Sequence, residues 1–485
     1  MKRILLKPRI VLVFIPLISL VMHYHVFTLD LIGYHVWHQT QTQTIINNYV
    51  NGDFNILHPK INNITNNGGD FRMEFPIMQW IFAGFIKIFG NGLMISRILS
   101  FIIGIFSVFG MYYLLKNIFK NKVIAAIGGW AFNFSPLFYY YSVNPMPDNL
   151  AQCCSIWSIA FFFKWKSDNK VKNIISSAIF LSIATLAKLP FILFGSIIFI
   201  FIIMDLKKNK FQTLSKNITL ASIFLISIIP PFVWYITAIP TWKGNGVVKG
   251  ILNSDKSPSE VLDMMQHIFI STLPELLINY GSLFFFISGF YFLFKNKIHK
   301  TKSFPIFLFL GITLLLYYFY EANMIGYVHD YYLFPFLPPI FLLVAYGAYQ
   351  LYIFNNPFTK YIVISILLLL PLTAYLRADT RWNPKSPGFN VDLYNYKDEL
   401  RNLVPSNSIC IAGRDFSGVI YLYYIDKKGW TYDNPDELKK YIDSCINKGA
   451  KYIYMDNQVD TISGIKEHLQ EKIFDKGSIR VYKLK

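Results

Sequence analysis

Phe75-Pro76-Ile77-Met78-Gln79-Trp80-Ile81-Phe82-Ala83-Gly84-Phe85-Ile86-Lys87-Ile88-Phe89 is the stretch whose reading decides how this chain folds. It is apolar, yet at roughly 15 residues it is short of the roughly 20 that a helix needs to cross a bilayer. Either it crosses or it lies along the interface. Counting positive charge decides between the two. Put the basic N-terminus, Met1 to Arg9, in the cytoplasm and let the run not cross. The clusters Lys116/Lys120/Lys122, Lys164/Lys166/Lys170/Lys172, Lys207/Lys208/Lys210 and Lys295/Lys297/Lys300/Lys302 then all fall inside. A crossing run would move every one of them outside. The run is therefore read as lying flat.

Working outward, apolar runs suited to spans fall at about residues 10–28, 93–115, 123–141, 150–163, 174–187, 189–204, 218–236, 268–294, 304–320, 331–351 and 361–376. Composition agrees: 54% of the 485 residues are hydrophobic and only 15% charged, which marks a polytopic membrane protein. The net charge of +18 sits in connectors between apolar runs, so topology accounts for it better than nucleic acid does. The N-terminal run shows no small-residue cleavage site and reads as a retained first span. The fold class expected is a polytopic α-helical membrane protein of about 11 transmembrane helices, with juxtamembrane helices in its first outer loop.

The domain boundaries expected are 1–376 for the membrane part, with the first outer loop at 30–92, and 377–485 for a small α/β domain. In that domain, residues 408–412, 429–432, 451–455 and 478–483 read as strands, and 418–424, 435–448 and 461–471 as helices. Cys153 and Cys154 lie in an apolar run as packing residues, whereas Cys410 and Cys445 could pair outside the cytoplasm.

With that topology the unusual polar groups collect on the outer face. His35 and His38, three apart, could share a helix face and bind a metal or a phosphate, or be hydrogen-bonded structural groups. Gln39 and Gln41, in a Gln/Thr run, could orient sugar hydroxyls or form a polar helix face. Glu74 precedes Phe75-Pro76, where partial burial would suit a base; the plainer role is a solvated carboxylate or a partner for Arg72. Asp148, in Asn144-Pro145-Met146-Pro147-Asp148-Asn149, is either an N-cap or a catalytic or metal-binding carboxylate. Lys188, stranded beside Pro190, needs an anionic partner, a carboxylate or a lipid phosphate. His329-Asp330-Tyr331-Tyr332 opens another span, as an interfacial aromatic belt or as part of a site.

Trp37-His38-Gln39-Thr40-Gln41-Thr42, Gly52-Asp53-Phe54, Glu74-Phe75-Pro76, Phe89-Gly90, Arg97, Pro147-Asp148, Ala187-Lys188-Leu189-Pro190 and His329-Asp330-Tyr331-Tyr332 occur in an order that resembles the GT-C superfamily of membrane glycosyltransferases. The resemblance is to the bacterial branch near the protein mannosyltransferases and aminoarabinose transferases. It implies a polyprenyl-phosphate-linked sugar as donor and a glycan, glycolipid or protein as acceptor, on the outer face of the bacterial inner membrane. It implies transfer with inversion, a carboxylate base in the first outer loop, basic groups on the phosphate and, in some members, a divalent cation such as Mg or Mn.

Many relatives read Trp-Arg-Gln-Ala-Asp-Thr where this chain has His38 for the Arg and Gln41 for the Asp. Glu74 is then the first choice of base, Asp148 a base or metal ligand alongside Glu74, and Asp30 third. Lys188 and Arg72 would hold phosphate, while Trp37, Gln39 and His329 would position sugar or lipid. Two rival classes remain on this reading. A flippase for lipid-linked glycans should place polar groups at mid-membrane in two related halves. A catalytically silent GT-C-like binding subunit would account for the missing Asp.

Overall fold

The computed structural model describes residues 8–65, 67–242, 256–301, 303–326, 329–456 and 459–485. Most of the basic N-terminal stretch, Lys302 and residues 243–255, between the runs at 218–236 and 268–294, lie outside the described residues. In chain order the helices are α1 (Pro8–His23), α2 (Val36–Asn51), α3 (Ile77–Phe89), α4 (Gly92–Phe119), α5 (Lys122–Asn133), α6 (Pro136–Tyr141), α7 (Pro147–Asp168), α8 (Val171–Ala187), α9 (Ser196–Asn209) and α10 (Leu214–Ala238). There follow α11 (Pro258–His267), α12 (Tyr280–Lys295), α13 (Phe304–Tyr320), α14 (Ala322–Ile325), α15 (Leu337–Ile353) and α16 (Pro357–Asp379). The remainder is α17 (Val391–Asn395), α18 (Lys397–Asn402), β1 (Ile409–Gly413), α19 (Ile420–Ile425), β2 (Lys428–Tyr432), α20 (Pro435–Asn447), β3 (Tyr452–Asp456), β4 (Leu469–Lys476) and β5 (Ile479–Leu484).

The chain is a multi-pass membrane protein. Among the described residues, Pro8–Val26, Gly92–Phe119, Leu189–Asn209, Leu214–Trp242, Asp330–Ile353 and Pro357–Asp379 are each long and apolar enough to cross a bilayer. Pro258–Leu277 and Tyr280–Lys295 pass that test together but bend by 114° at the break. The other expected spans fall on α5 with α6, on α7, on α8 and on α13. α3 is only 13 residues, about 20 Å long, and so does not span the roughly 30 Å hydrocarbon layer.

The residues cluster into two compact units. The first comprises Met1–Phe27, Met73–Phe75 and Arg97–Thr380; the second comprises Thr28–Arg72, Pro76–Ser96 and Arg381–Lys485. The outer loop, except for the three residues around Glu74, thus shares a unit with the C-terminal α/β region.

In the second unit the sheet runs β2-β1-β3-β5-β4. β1 pairs in parallel with β2 and β3, and β5 is antiparallel to β3 and β4. β2 is the last strand of the sheet on its side, and an open strand edge invites unwanted pairing. The outer loop covers it. Gly429 N–H donates to the Asn62 carbonyl at 3.1 Å, and Ile64 N–H donates to the Gly429 carbonyl at 2.9 Å. Asn63 Nδ2 donates to the Gly418 carbonyl and Thr431 Oγ1 at 3.0 and 2.8 Å. Only glycine fits at 429, because a Cβ there would lie 1.7 Å from the Cys410 carbonyl oxygen.

Two expectations for this region need correction. Residues 461–471 do not form one helix: Gly464 takes a positive φ of 86°, only a single 3-10 turn follows at Lys466–His468, and β4 begins at Leu469. β4 exposes most of its side chains, so its Gln, Glu and Lys residues mimic a solvated helix face in sequence. Cys410 and Cys445 are both free thiols. Cys410 packs with Ala412 and Tyr421 in one hydrophobic cluster, and Cys445 packs with Ile411 and Leu438 in another. Burial pushes their thiols up, to about 12 for Cys410 and about 11 for Cys445. A reductant is therefore expected to leave the melting temperature unchanged, and maleimide to label both thiols only after denaturation.

Candidate active site

Lys188 is where α8 stops being a helix. Pro190 has no N–H to offer the Leu186 carbonyl and its ring would clash with it, so α8 cannot continue through Pro190, and Lys188 takes extended dihedrals of −159° and 118°. Its N–H still bonds the Ala184 carbonyl at 3.0 Å, so the break is fixed to the helix end. Nζ then meets Asp148 Oδ2 at 3.7 Å, with both side chains largely buried. Asp148 is not the N-cap of α7. Met146 holds that position, Pro147 begins the helix, and Asp148 lies in the first turn, where the dipole favours a carboxylate.

The turn that delivers Asp148 is held by Arg97, which the family resemblance included without assigning it a role. Arg97 on α4 is fully buried, and its Nη1 donates to Asn144 Oδ1 at 2.6 Å. Asn144 Nδ2 donates to the Tyr140 carbonyl at 2.9 Å, and Asn149 Nδ2 donates to the carbonyls of Tyr141 and Asn144 at 2.7 and 2.8 Å. A buried guanidinium with an amide on each side of the turn over-determines where Asp148 can sit.

Glu74 joins this pair through its backbone. Trp234 Nε1 on α10 donates to the Met73 carbonyl at 3.2 Å, and Phe75 N–H donates to the Leu186 carbonyl at 3.0 Å. The Phe75 and Trp234 rings meet edge to face at 5.0 Å. Buried Glu74 is thus strapped between α8 and α10, and its charge acts on Lys188 together with that of Asp148. Nothing in the apolar run 218–236 distinguished Trp234 beforehand. Trp234→Phe keeps the ring and loses the bond to Met73; if the chain proves to be a transferase, about a three- to tenfold fall in turnover with little change in melting temperature is expected.

The stretch His329-Asp330-Tyr331-Tyr332 closes the same region. The Tyr331 and Tyr332 ring centres lie 5.8 and 5.6 Å from Lys188 Nζ, within cation–π range. The Tyr141 hydroxyl donates to Asp330 Oδ1 at 2.5 Å, which ties this segment to α6. His329 Nδ1 bonds the Met324 carbonyl, and its ring stands 5.9 and 6.0 Å from those of Tyr331 and Tyr332. Glu321, buried at the end of α13, adds a further negative charge beside Tyr332 that the sequence reading had not singled out. In chemical terms the first unit offers one buried ammonium held by carboxylates and framed by phenols. That combination binds an anion and moves a proton.

The other expected site residues belong to the second unit. The Gln/Thr run forms α2, in keeping with the helix-face alternative, and every residue from His38 to Thr44 is buried. The threonines satisfy themselves: Thr40, Thr42 and Thr44 donate to the carbonyls of Trp37, His38 and Thr40. Gln39 Nε2 donates to the Tyr34 carbonyl at 2.9 Å, and Gln41 is buried beside it. His35 does not share a helix face with His38. It precedes α2 in the left-handed conformation at φ 55°. Trp37 and His38 stack with tilted rings at 5.3 Å. Arg72 Nε is paired with Asp70 at 3.1 Å, and Asp30 with Lys397 at 3.4 Å. Arg72 is thus paired within the outer loop, and Asp30 is paired with α18.

Residues 74–234 match the family described as dolichyl-phosphate-mannose-protein mannosyltransferase, a stretch that begins at Glu74 and ends at Trp234. No curated protein sequence matches the chain. Among solved structures, ArnT from Cupriavidus metallidurans bound to undecaprenyl phosphate superposes with a TM-score of 0.63 at 12% identity, over 97% of each chain. The chain has the GT-C fold. The Archaeoglobus fulgidus oligosaccharyltransferase shares it, with a TM-score of 0.61 at 14% identity over 93% of this chain and 69% of that one. The mycobacterial arabinofuranosyltransferase AftD does so at 0.58 and 9% identity, over 97% of this chain and 41% of that one.

One form of the archaeal protein is described in complex with Zn and sulfate, so the GT-C fold can carry a divalent metal. Among the described residues here, no three His, Cys, Asp or Glu side chains gather as a donor set. Asp148, one of the two expected ligands, already faces the Lys188 ammonium at 3.7 Å. A divalent ion would have to share that carboxylate with a cation, which like-charge repulsion opposes. These residues do not fit a resident metal.

Proposed function

We propose that this protein is a glycosyltransferase that moves a sugar from a polyprenyl-phosphate donor to a glycan, glycolipid or protein acceptor. The reaction takes place at the outer face of the bacterial cytoplasmic membrane, with inversion at C1 of the sugar, and the α/β region is extracytoplasmic. The observation that carries the proposal is buried Lys188, held 3.7 Å from Asp148 and under the charge of Glu74. An ammonium kept charged in an apolar setting is a ready partner for a lipid phosphate. A neighbour of the same fold described as bound to undecaprenyl phosphate supports the lipid class.

On this reading Glu74 takes the proton from the acceptor hydroxyl or amine. The acceptor atom forms its bond to C1 as the bond from C1 to the phosphate oxygen breaks, and the electron pair leaves on the phosphate. The lipid phosphate gains one negative charge in that step, and Lys188 offsets it. Phosphate leaves readily, so no strong acid is needed. Asp148 holds the ammonium in place, and the phenols of Tyr331 and Tyr332 line the anion's surroundings.

The test is transfer of radiolabelled sugar from undecaprenyl-phosphate-linked donors by the purified protein in nanodiscs. Label should move to an acceptor with release of undecaprenyl phosphate; no release with any donor would contradict the proposal. Because Lys188 supplies the positive charge, a molar excess of EDTA is expected to leave the initial rate unchanged. Loss of activity that added Mg or Mn restores would return the cation role to a metal.

A further inference from the structure

Gln152 lies on α7 one turn beyond Asp148, so the two share a helix face. Gln152 is 0% exposed, and neither its amide oxygen nor its amide nitrogen has a hydrogen-bond partner. Asn149 is 3% exposed; its nitrogen is fully engaged with Tyr141 and Asn144, but its Oδ1 also has no partner. Such groups destabilise a fold, and leucine or methionine at 152 would fill a similar volume without that cost.

The set of unmet bonds limits what can complete it. Two amide oxygens require donors, and one amide nitrogen requires acceptors. A phosphate offers acceptors alone and leaves both oxygens unmet. A hydroxyl donates and accepts, and neighbouring hydroxyls on a sugar ring can serve both residues at once. We propose that Gln152 and Asn149 form a subsite for the hydroxyls of the sugar carried by the lipid phosphate, on the α7 turns that begin with Asp148. This rests on the function proposed above and adds that the donor is distinguished by its sugar as well as by its lipid.

The test measures binding to the full-length protein in nanodiscs of undecaprenyl phosphate, bare or bearing glucose, mannose or arabinose. The wild type should bind at least one sugar-bearing lipid about tenfold more tightly than the bare lipid, the scale of one or two hydrogen bonds. Gln152→Leu should abolish that preference, bind bare lipid as the wild type does, and melt no lower. A wild type that binds bare lipid without preferring any of the sugars would overturn this inference and leave the function standing. Failure to bind even the bare lipid would overturn both. Preference that survives Gln152→Leu alongside a lower melting temperature would assign the amide to a structural water. Unfolding of both Gln152→Leu and Gln152→Met would show the amide satisfied within the fold, and would overturn the inference equally.

Discussion

Glu74→Gln is expected to lower the rate of sugar transfer by about 10²- to 10⁴-fold, the range associated with loss of a general base. The substitution keeps the size of the side chain, and the straps from Trp234 to Met73 and from Phe75 to Leu186 use backbone atoms that it does not touch. Folding should therefore survive. Lipid binding should survive too. Glu74 is one of the negative charges acting on Lys188, so removing it leaves the ammonium with less competition for a phosphate. The pairing of lost turnover with retained or tighter lipid affinity is what separates a base from a binding residue. Transfer within threefold of wild type would move the base elsewhere, with Asp148 the next candidate.

Lys188→Met is the second large effect, and it should appear in two measurements. Removing the cation leaves Asp148 and Glu74 buried without their counter-charge, which destabilises the fold by about 3–5 kcal/mol. It also removes the group proposed to meet the phosphate, so affinity for undecaprenyl phosphate should fall by at least about tenfold. The two losses can be separated. Adding Asp148→Asn to Lys188→Met removes one of the unpaired carboxylates and should restore much of the stability, while lipid affinity stays low. Recovery of lipid binding in the double variant would mean that Lys188 serves only to neutralise Asp148. Lys188→Arg should keep the charge but alter its reach, giving a folded protein with partial activity.

The architecture was legible where charge and hydropathy speak directly. The Lys clusters fixed the connectors, and each apolar run fell on a helix or a helix pair, because burial in lipid leaves no other backbone solution. Lys188 could be singled out because an ammonium beside Pro190 in apolar sequence has no innocent explanation, and Asp148 is the partner that such reasoning demands. What the sequence hid depends on satisfaction rather than polarity. The Gln/Thr run reads equally as a set of sugar-orienting groups or as a polar helix face, and its threonine hydroxyls turn back onto their own helix. Trp234 and Gln152 sit inside apolar sequence with no contrast to betray them, and Arg97, though part of the resemblance, carried no role there. Their roles emerge only from which atom meets which. Arg72 and Asp30 show the same dependence on partners that sequence does not reveal: they pair with Asp70 and Lys397.

The most direct measurement is a structure of the protein saturated with undecaprenyl phosphate, in which the phosphate can be placed. The account predicts phosphate oxygens within about 3 Å of Lys188 Nζ, beside Tyr331 and Tyr332, with Asp148 still in contact with the lysine. A phosphate seated on other residues, with the Lys188–Asp148 pair closed and untouched, would contradict it.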